Sequence, residues 1–204
     1  EKLSQLMGAQ RSDALQKKLK RFVSLLVEKS GVPPTEFGIT GSILLSIHRL
    51  DISDFDVAVY GYKNSLAVKR ALIDAYSVKE SGIKRFEGSV LAAWCKGRTR
   101  AYSLTYEESL QIYRRKWNVG TFEDTRFSVH PVKTEEDVTE EYADKVYDGI
   151  GNAVVGAVVH QNTDSMFLPA VYQIREAKVV KGPQVPDIEE VVSYESLFGD
   201  LADV

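Results

Sequence analysis

Residues 37–61 read FGITGSILLSIHRLDISDFDVAVYG, and this stretch decides the fold. A short apolar run carrying Phe37 and Ile39 ends in the Gly41-Ser42 turn. A brief amphipathic segment follows, and then Asp54 and Asp56 alternate with the apolar Phe55 and Val57. Side chains at i and i+2 of a strand point to one face. The two carboxylates therefore project together while Phe55 and Val57 enter the core. Acids held so close repel unless a cation sits between them, and a hard divalent ion such as Mg²⁺ suits oxygen ligands. Gly41 has no Cβ, so backbone there can approach a ligand closely. If a helix opens at Ile43, the first amides at Ile43 and Leu44 would face an anion. Together these features imply a nucleoside triphosphate and a metal.

The run ITGS…SDFDVAVYG resembles the polymerase-beta-like nucleotidyltransferase superfamily, and within it most the predicted nucleotidyltransferases of archaea. The likeness is close over about residues 35–61 and loose over the rest of the first two-thirds of the chain. It implies a Gly-Ser turn at Gly41 and Ser42 that holds the triphosphate. It also implies that Asp54 and Asp56 bind the Mg²⁺ (or Mn²⁺) that drives nucleotidyl transfer. The superfamily adds a third carboxylate on a later strand, and here the chain departs from it. Residues 101–105 and 126–132, the expected later strands, carry no acid in their interiors. His130 stands near that place, and Glu107, Glu108, Glu123 and Asp124 lie at strand or loop margins.

Working outward, Ser12 or Asp13 is a cap for a helix reaching Ser30, with Leu15, Leu19, Phe22, Leu25 and Leu26 at helical spacing. Gly31 stops it and Pro33-Pro34 forbid continuation. A strand is expected over 37–40, a short helix over 43–50 and a second strand over 55–60. Asn64 or Ser65 then caps a helix to Tyr76, with Leu66, Val68, Ala71, Leu72 and Ala75 inside. Residues 90–95 fit either helix or strand. A strand is expected over 101–105, a helix over 107–116, and a strand over 126–132 with Pro131 placing its end at an edge. The fold class is α/β (α+β): a mixed sheet flanked by helices over residues 1–133. The acidic stretch 134–144 reads as a short exposed helix within a linker, 134–151. A small β-rich domain follows over 152–204, with strands over 153–159, 167–174 and 191–194 and the outline of a partial barrel.

Composition sets outer bounds. The 204 residues are 44% apolar and 27% charged, as in a globular protein. Net charge is −3, so no global basic field recruits nucleic acid. A single cysteine, Cys95, excludes a disulfide framework and a Cys-rich zinc site, which suits a reducing cytoplasm. Beside Trp94 in an apolar run, Cys95 reads as core, and His48 and His160 lack zinc-ligand spacing. No apolar run approaches the roughly 20 residues of a membrane span, and no signal-peptide pattern opens the chain. It begins at Glu1 without an initiator methionine, as a segment of a longer protein would.

The expected activity is metal-dependent transfer of a nucleoside monophosphate from a nucleoside triphosphate to a hydroxyl acceptor, which in this superfamily is RNA, protein or a small molecule. Two alternatives stand beside it. One is a nucleotide-binding or regulatory protein that keeps the fold without turnover, motivated by the missing third acid. The other is an RNA-binding protein acting through its C-terminal β module, though 150–204 is poor in basic residues outside Arg175, Lys178 and Lys181. Arg114-Arg115-Lys116-Trp117 is either a solvated helix end or a phosphate and base grip.

Overall fold

In the computed structural model, which describes residues 1–138, 144, 146 and 148–202, the chain divides into two units, Glu1–Thr134 and Glu135–Val204. The first is built on α1 (Lys2–Gly8), α2 (Ala14–Ser30), β1 (Phe37–Ile39), α3 (Gly41–Leu44) and β2 (Phe55–Tyr60). These are followed by α4 (Tyr62–Tyr76), β3 (Ile83–Lys84), α5 (Gly88–Ala101), α6 (Tyr106–Arg115), β4 (Val119–Phe122) and β5 (Thr125–Val132). This is the mixed α+β fold expected from the sequence. No helix among the described residues is long and apolar enough to cross a membrane.

Asp13 starts α2 through a capping box. Its carboxylate accepts from the Gln16 amide at 2.9 Å, and the Gln16 side chain accepts from the Asp13 amide at 3.2 Å. Gly31, at φ 72°, ends the helix in the left-handed conformation that glycine adopts without steric cost. The buried stripe is Leu15, Leu19, Phe22, Val23 and Leu26. Phe22 packs on Phe127, Phe122 and Phe55, with ring centroids 4.5, 5.4 and 5.9 Å away.

The five-stranded sheet runs β1-β2-β5-β4-β3. β2 and β5 are parallel, with Phe55 opposite Phe127, Asp56 opposite Ser128 and Val57 opposite Val129; the other pairs are antiparallel. Because side chains alternate, Phe55, Val57, Val59, Phe127 and Val129 join one buried core with α2 and with Val68, Leu72 and Ala75 of α4. Asp56, Ser128 and His130 emerge on the opposite face.

Several expectations need correction. α3 is a single turn rather than a helix over 43–50. Ser46 adopts a positive φ (59°), and turns carry the chain through a loop that exposes Leu45, Ile47, Leu50 and Ile52. Helix α4 starts at Tyr62 with Gly61 as its cap. Asn64 and Ser65 instead bond back to the carbonyls of Tyr60 and Val59. Residues 90–95 lie within helix α5, and 101–105 form no strand. α5 runs to Ala101, and Thr105 caps α6 in a second capping box with Glu108. Strand β5 is interior to the sheet, but its end at Pro131 runs past β4 and is an edge on that side, as expected. Pro131 is tolerated because β4 pairs only as far as Ser128, so the side that lacks an N–H faces no ladder partner. Trp117 is 3% exposed and joins the core, which rules it out as a base-stacking platform.

The second unit is a three-stranded antiparallel sheet, β6 (Val154–Gln161), β7 (Ala170–Lys181) and β8 (Glu190–Ser193), in the order β6-β7-β8 rather than a partial barrel. Ala170, Tyr172 and Ile174 form its small core, and the Tyr172 hydroxyl donates to the Phe198 carbonyl at 2.5 Å. Of the helix expected over 134–144, the described residues show a 3₁₀ turn at Glu135–Asp137; residues 139–143 lie outside the described residues.

Candidate functional site

The Gly-Ser turn meets Asp56, the second of the paired acids. The Thr40 amide donates to the Asp56 carbonyl at 2.9 Å, continuing the β1–β2 ladder to the edge of the turn. Gly41 follows at φ +65°, and a Cβ there would overlap Asp56 Oδ2. Only glycine satisfies both the backbone conformation and this approach. The Ser42 hydroxyl donates to Ser53 Oγ at 3.2 Å, and Ser53 Oγ also accepts from the Arg49 amide at 2.9 Å. Ser53 thus clips the loop closed, and Asp54 emerges beside the turn. With α3 reduced to one turn, any anion contact rests on the turn amides and the Ser42 hydroxyl rather than on a helix dipole.

The parallel register supplies the other half of the site from β5. Ser128 donates to Asp56 Oδ1 at 2.5 Å, and His130 Nε2 lies 2.7 Å from Ser128 Oγ. A hydroxyl has one proton. With that proton given to the carboxylate, His130 Nε2 must carry the hydrogen that Ser128 accepts. His130 does most to hold the Asp56 carboxyl below its ordinary value; burial opposes it, and Ser128 adds to the lowering. The imidazole Nε2 is 3.7 Å from Oδ1, so Ser128 makes the direct contact. Asp54 faces Arg126, with 4.0 Å between its Oδ2 and the guanidinium.

These donors suit Mg²⁺ in a particular way. Asp54 and Asp56 offer hard oxygens on one face, and no group of three His, Cys, Asp or Glu side chains converges among the described residues. Mg²⁺ is commonly held by one or two carboxylates while waters and substrate phosphates complete its octahedron. The residues fit a metal that arrives with a phosphate, not an all-protein cage. Among the described residues, no acid joins Asp54 and Asp56 as the third of the resemblance. On the strand facing β2, the available positions hold Arg126, Ser128 and His130. Glu123 is engaged with Arg21, and Glu108 in the α6 cap.

Beside the carboxylates opens a cavity of about 870 Å³. Its walls are the loop at 50–53, the turn Asp124-Thr125-Arg126, and one face of α5, where Val90, Ala93, Trp94, Gly97 and Arg98 recur at helical spacing. Ser53 and Arg126 belong to both cavity and acidic site.

Of the expected residues Gly41, Ser42, Asp54 and Asp56, the structure sets Gly41 against Asp56 and Ser42 against Ser53, the neighbour of Asp54, which itself faces Arg126. The sequence reading misses Arg126 and Ser128, whose signal is the alternation of polar and apolar residues in Arg126-Phe-Ser-Val-His130. The α5 wall escaped notice because Trp94 was grouped with Cys95, which is fully buried.

No protein-family model matches the chain, and no solved structure matches it. The chain is 30% identical over 174 residues to an uncharacterized protein of Methanocaldococcus jannaschii; the match covers 85% of this chain and 48% of that relative. The chain therefore spans about half the length of the curated relative it matches.

Proposed function

We propose that the first unit binds a nucleoside triphosphate with Mg²⁺ and transfers the nucleoside monophosphate to a hydroxyl acceptor, releasing pyrophosphate. One observation carries this reading: Gly41 is pressed against Asp56, so a phosphate on the turn lies within reach of an ion on the acids. Asp54 and Asp56 would hold the metal, with Gly41 and Ser42 on the phosphates. When bound, the ion neutralises phosphate charge and eases departure of the leaving oxygen. The acceptor oxygen bonds to the α-phosphorus as the bridging bond to the β-phosphate breaks, and the hydroxyl proton passes to solvent. Such chemistry consists chiefly of positioning and charge stabilisation, which the Ser128 bond to Asp56 and the Ser53 clip provide. The acceptor, whether RNA, protein or a small molecule, and a cytoplasmic location belong to the same proposal.

The test is incubation with α-labelled triphosphates, Mg²⁺ or Mn²⁺ and mixed acceptors. Pyrophosphate release that disappears in Asp54→Asn and Asp56→Asn supports transfer. Its absence under all conditions, with triphosphate still bound, selects a second reading, a nucleotide-binding protein without turnover. Arg126 favours that alternative, since it puts a cation beside Asp54 on the strand where a third acid is expected. Arg126→Asp separates the two. If the arginine is what limits turnover, the variant should bind Mn²⁺ several-fold more tightly and release more pyrophosphate than the parent chain.

A further inference from the structure

The cavity beside the acids has the furnishings of a ring-binding pocket. Its volume of about 870 Å³ lies within the range typical of small-molecule sites. Trp94 forms part of the wall and is braced from behind. It packs on Tyr113 with centroids 5.2 Å apart, and Tyr113 stacks on Phe86 at 5.3 Å and 11°. Leu50 and Ile52, each 61% exposed, line the opposing loop, where apolar side chains have no evident reason to meet water. Arg98 carries the sharper signal. Its guanidinium carbon sits 5.1 Å from the centre of the Trp94 ring, while its Nε is sealed from solvent with no hydrogen-bond partner among the described residues. A buried unpaired donor on a charged group is unusual and costly, and an acceptor brought by a ligand would satisfy it.

We propose that this cavity seats the base of the nucleotide and that Arg98 selects guanine. The proposal rests on the triphosphate reading above and names the substrate class for the same site. Arginine offers donors only. Guanine presents adjacent acceptors at O6 and N7, which a guanidinium meets as a fork, whereas adenine places an amino donor beside N7. Cytosine presents a donor and uracil a single acceptor on the corresponding edge. Asp124 on the same cavity supplies a carboxylate for guanine's ring and amino N–H groups. Trp94, with the Arg98 guanidinium over its ring, gives the base an aromatic wall, and Arg126 links the cavity to Asp54 and hence to the phosphates.

The test uses the full chain with Mg²⁺ and five probes: GTP, ATP, CTP, UTP and inorganic tripolyphosphate. GTP should bind about tenfold or more above ATP, the discrimination of a good bidentate arginine contact. Arg98→Ala should reduce GTP to the level of ATP and leave tripolyphosphate unchanged. Arg98→Gln should turn the preference toward ATP, because glutamine pairs with adenine N6 and N7. Trp94 and the buried Trp117 are the two tryptophans, so GTP should quench tryptophan fluorescence, and Trp94→Phe should abolish the quenching. Circular dichroism identifies any variant that fails to fold, and Arg98→Lys, which keeps the charge but not the fork, then serves in its place with the same expected loss of GTP preference. If tripolyphosphate binds in an Asp56-dependent way while the four nucleotides bind equally or ignore Arg98, the base assignment is overturned and the triphosphate site stands. If no probe binds, the underlying reading falls and this proposal with it.

Discussion

Gly41 is where backbone conformation and chemistry meet at a single residue. It needs a positive φ, and it needs the absence of a Cβ against Asp56. Alanine in the left-handed region costs about 1–2 kcal/mol, and here the methyl group must also displace the carboxylate. Gly41→Ala should therefore lower thermal stability by several degrees and weaken Mg·triphosphate binding by more than about tenfold, as expected for a displacement near 1 Å at a reacting centre. Scanning calorimetry and a binding titration on the same sample check both. Unaltered binding would mean that the turn and the acid work independently. The glycine, the serine and both acids were legible in the sequence because strand alternation and the turn are local rules. Arg126 and Ser128 were not, since they reach the acids through pairing with a strand some seventy residues away.

At the scale of elements, the cap of α2 ties that helix to the loop beside the site. Asp13 accepts from Gln16, and its Oδ2 lies 2.7 Å from His48 Nε2, in the loop that follows α3. Asp13→Ala should cost about 0.5–2 kcal/mol, the usual range for a lost N-cap. Burial pushes the Asp13 carboxyl up, but the Gln16 amide and the His48 imidazole outweigh it, and the net shift is downward. A carboxylate with a lowered folded pKa stabilises above its ordinary value of 3.8 and loses that contribution as pH falls through the lower folded value. The gap between parent and variant should thus be larger at about pH 7 than at about pH 2 in urea melts; a gap that widens in acid would contradict this.

Helix α2 was readable from cap to stop because its signals agree. The short helix expected over 43–50 was misread because Leu44, Leu45 and Ile47 mimic a helical stripe that no core receives. The strand expected over 101–105 was misread because the box Thr105-Tyr-Glu-Glu108, visible in the sequence, was passed over in favour of a short β-prone run.

For the whole molecule, every residue of the proposed site and the large aromatic core lie within Glu1–Thr134. A chain ending at Thr134 should unfold cooperatively and bind Mg·triphosphate as the full chain does; a non-cooperative melt would show that its core depends on the rest. The fold class was accessible from the order of helices and strands. The sheet's internal order, with β5 beside β2, was not, since parallel pairing leaves no local mark in sequence. The most direct measurement of the central claim is a calorimetric titration of Mg·GTP and Mg·ATP into the parent chain, Asp54→Asn and Asp56→Asn, each checked for an unchanged melt. The account predicts metal-dependent binding to the parent that both variants lose. Equal affinity in all three proteins would contradict it.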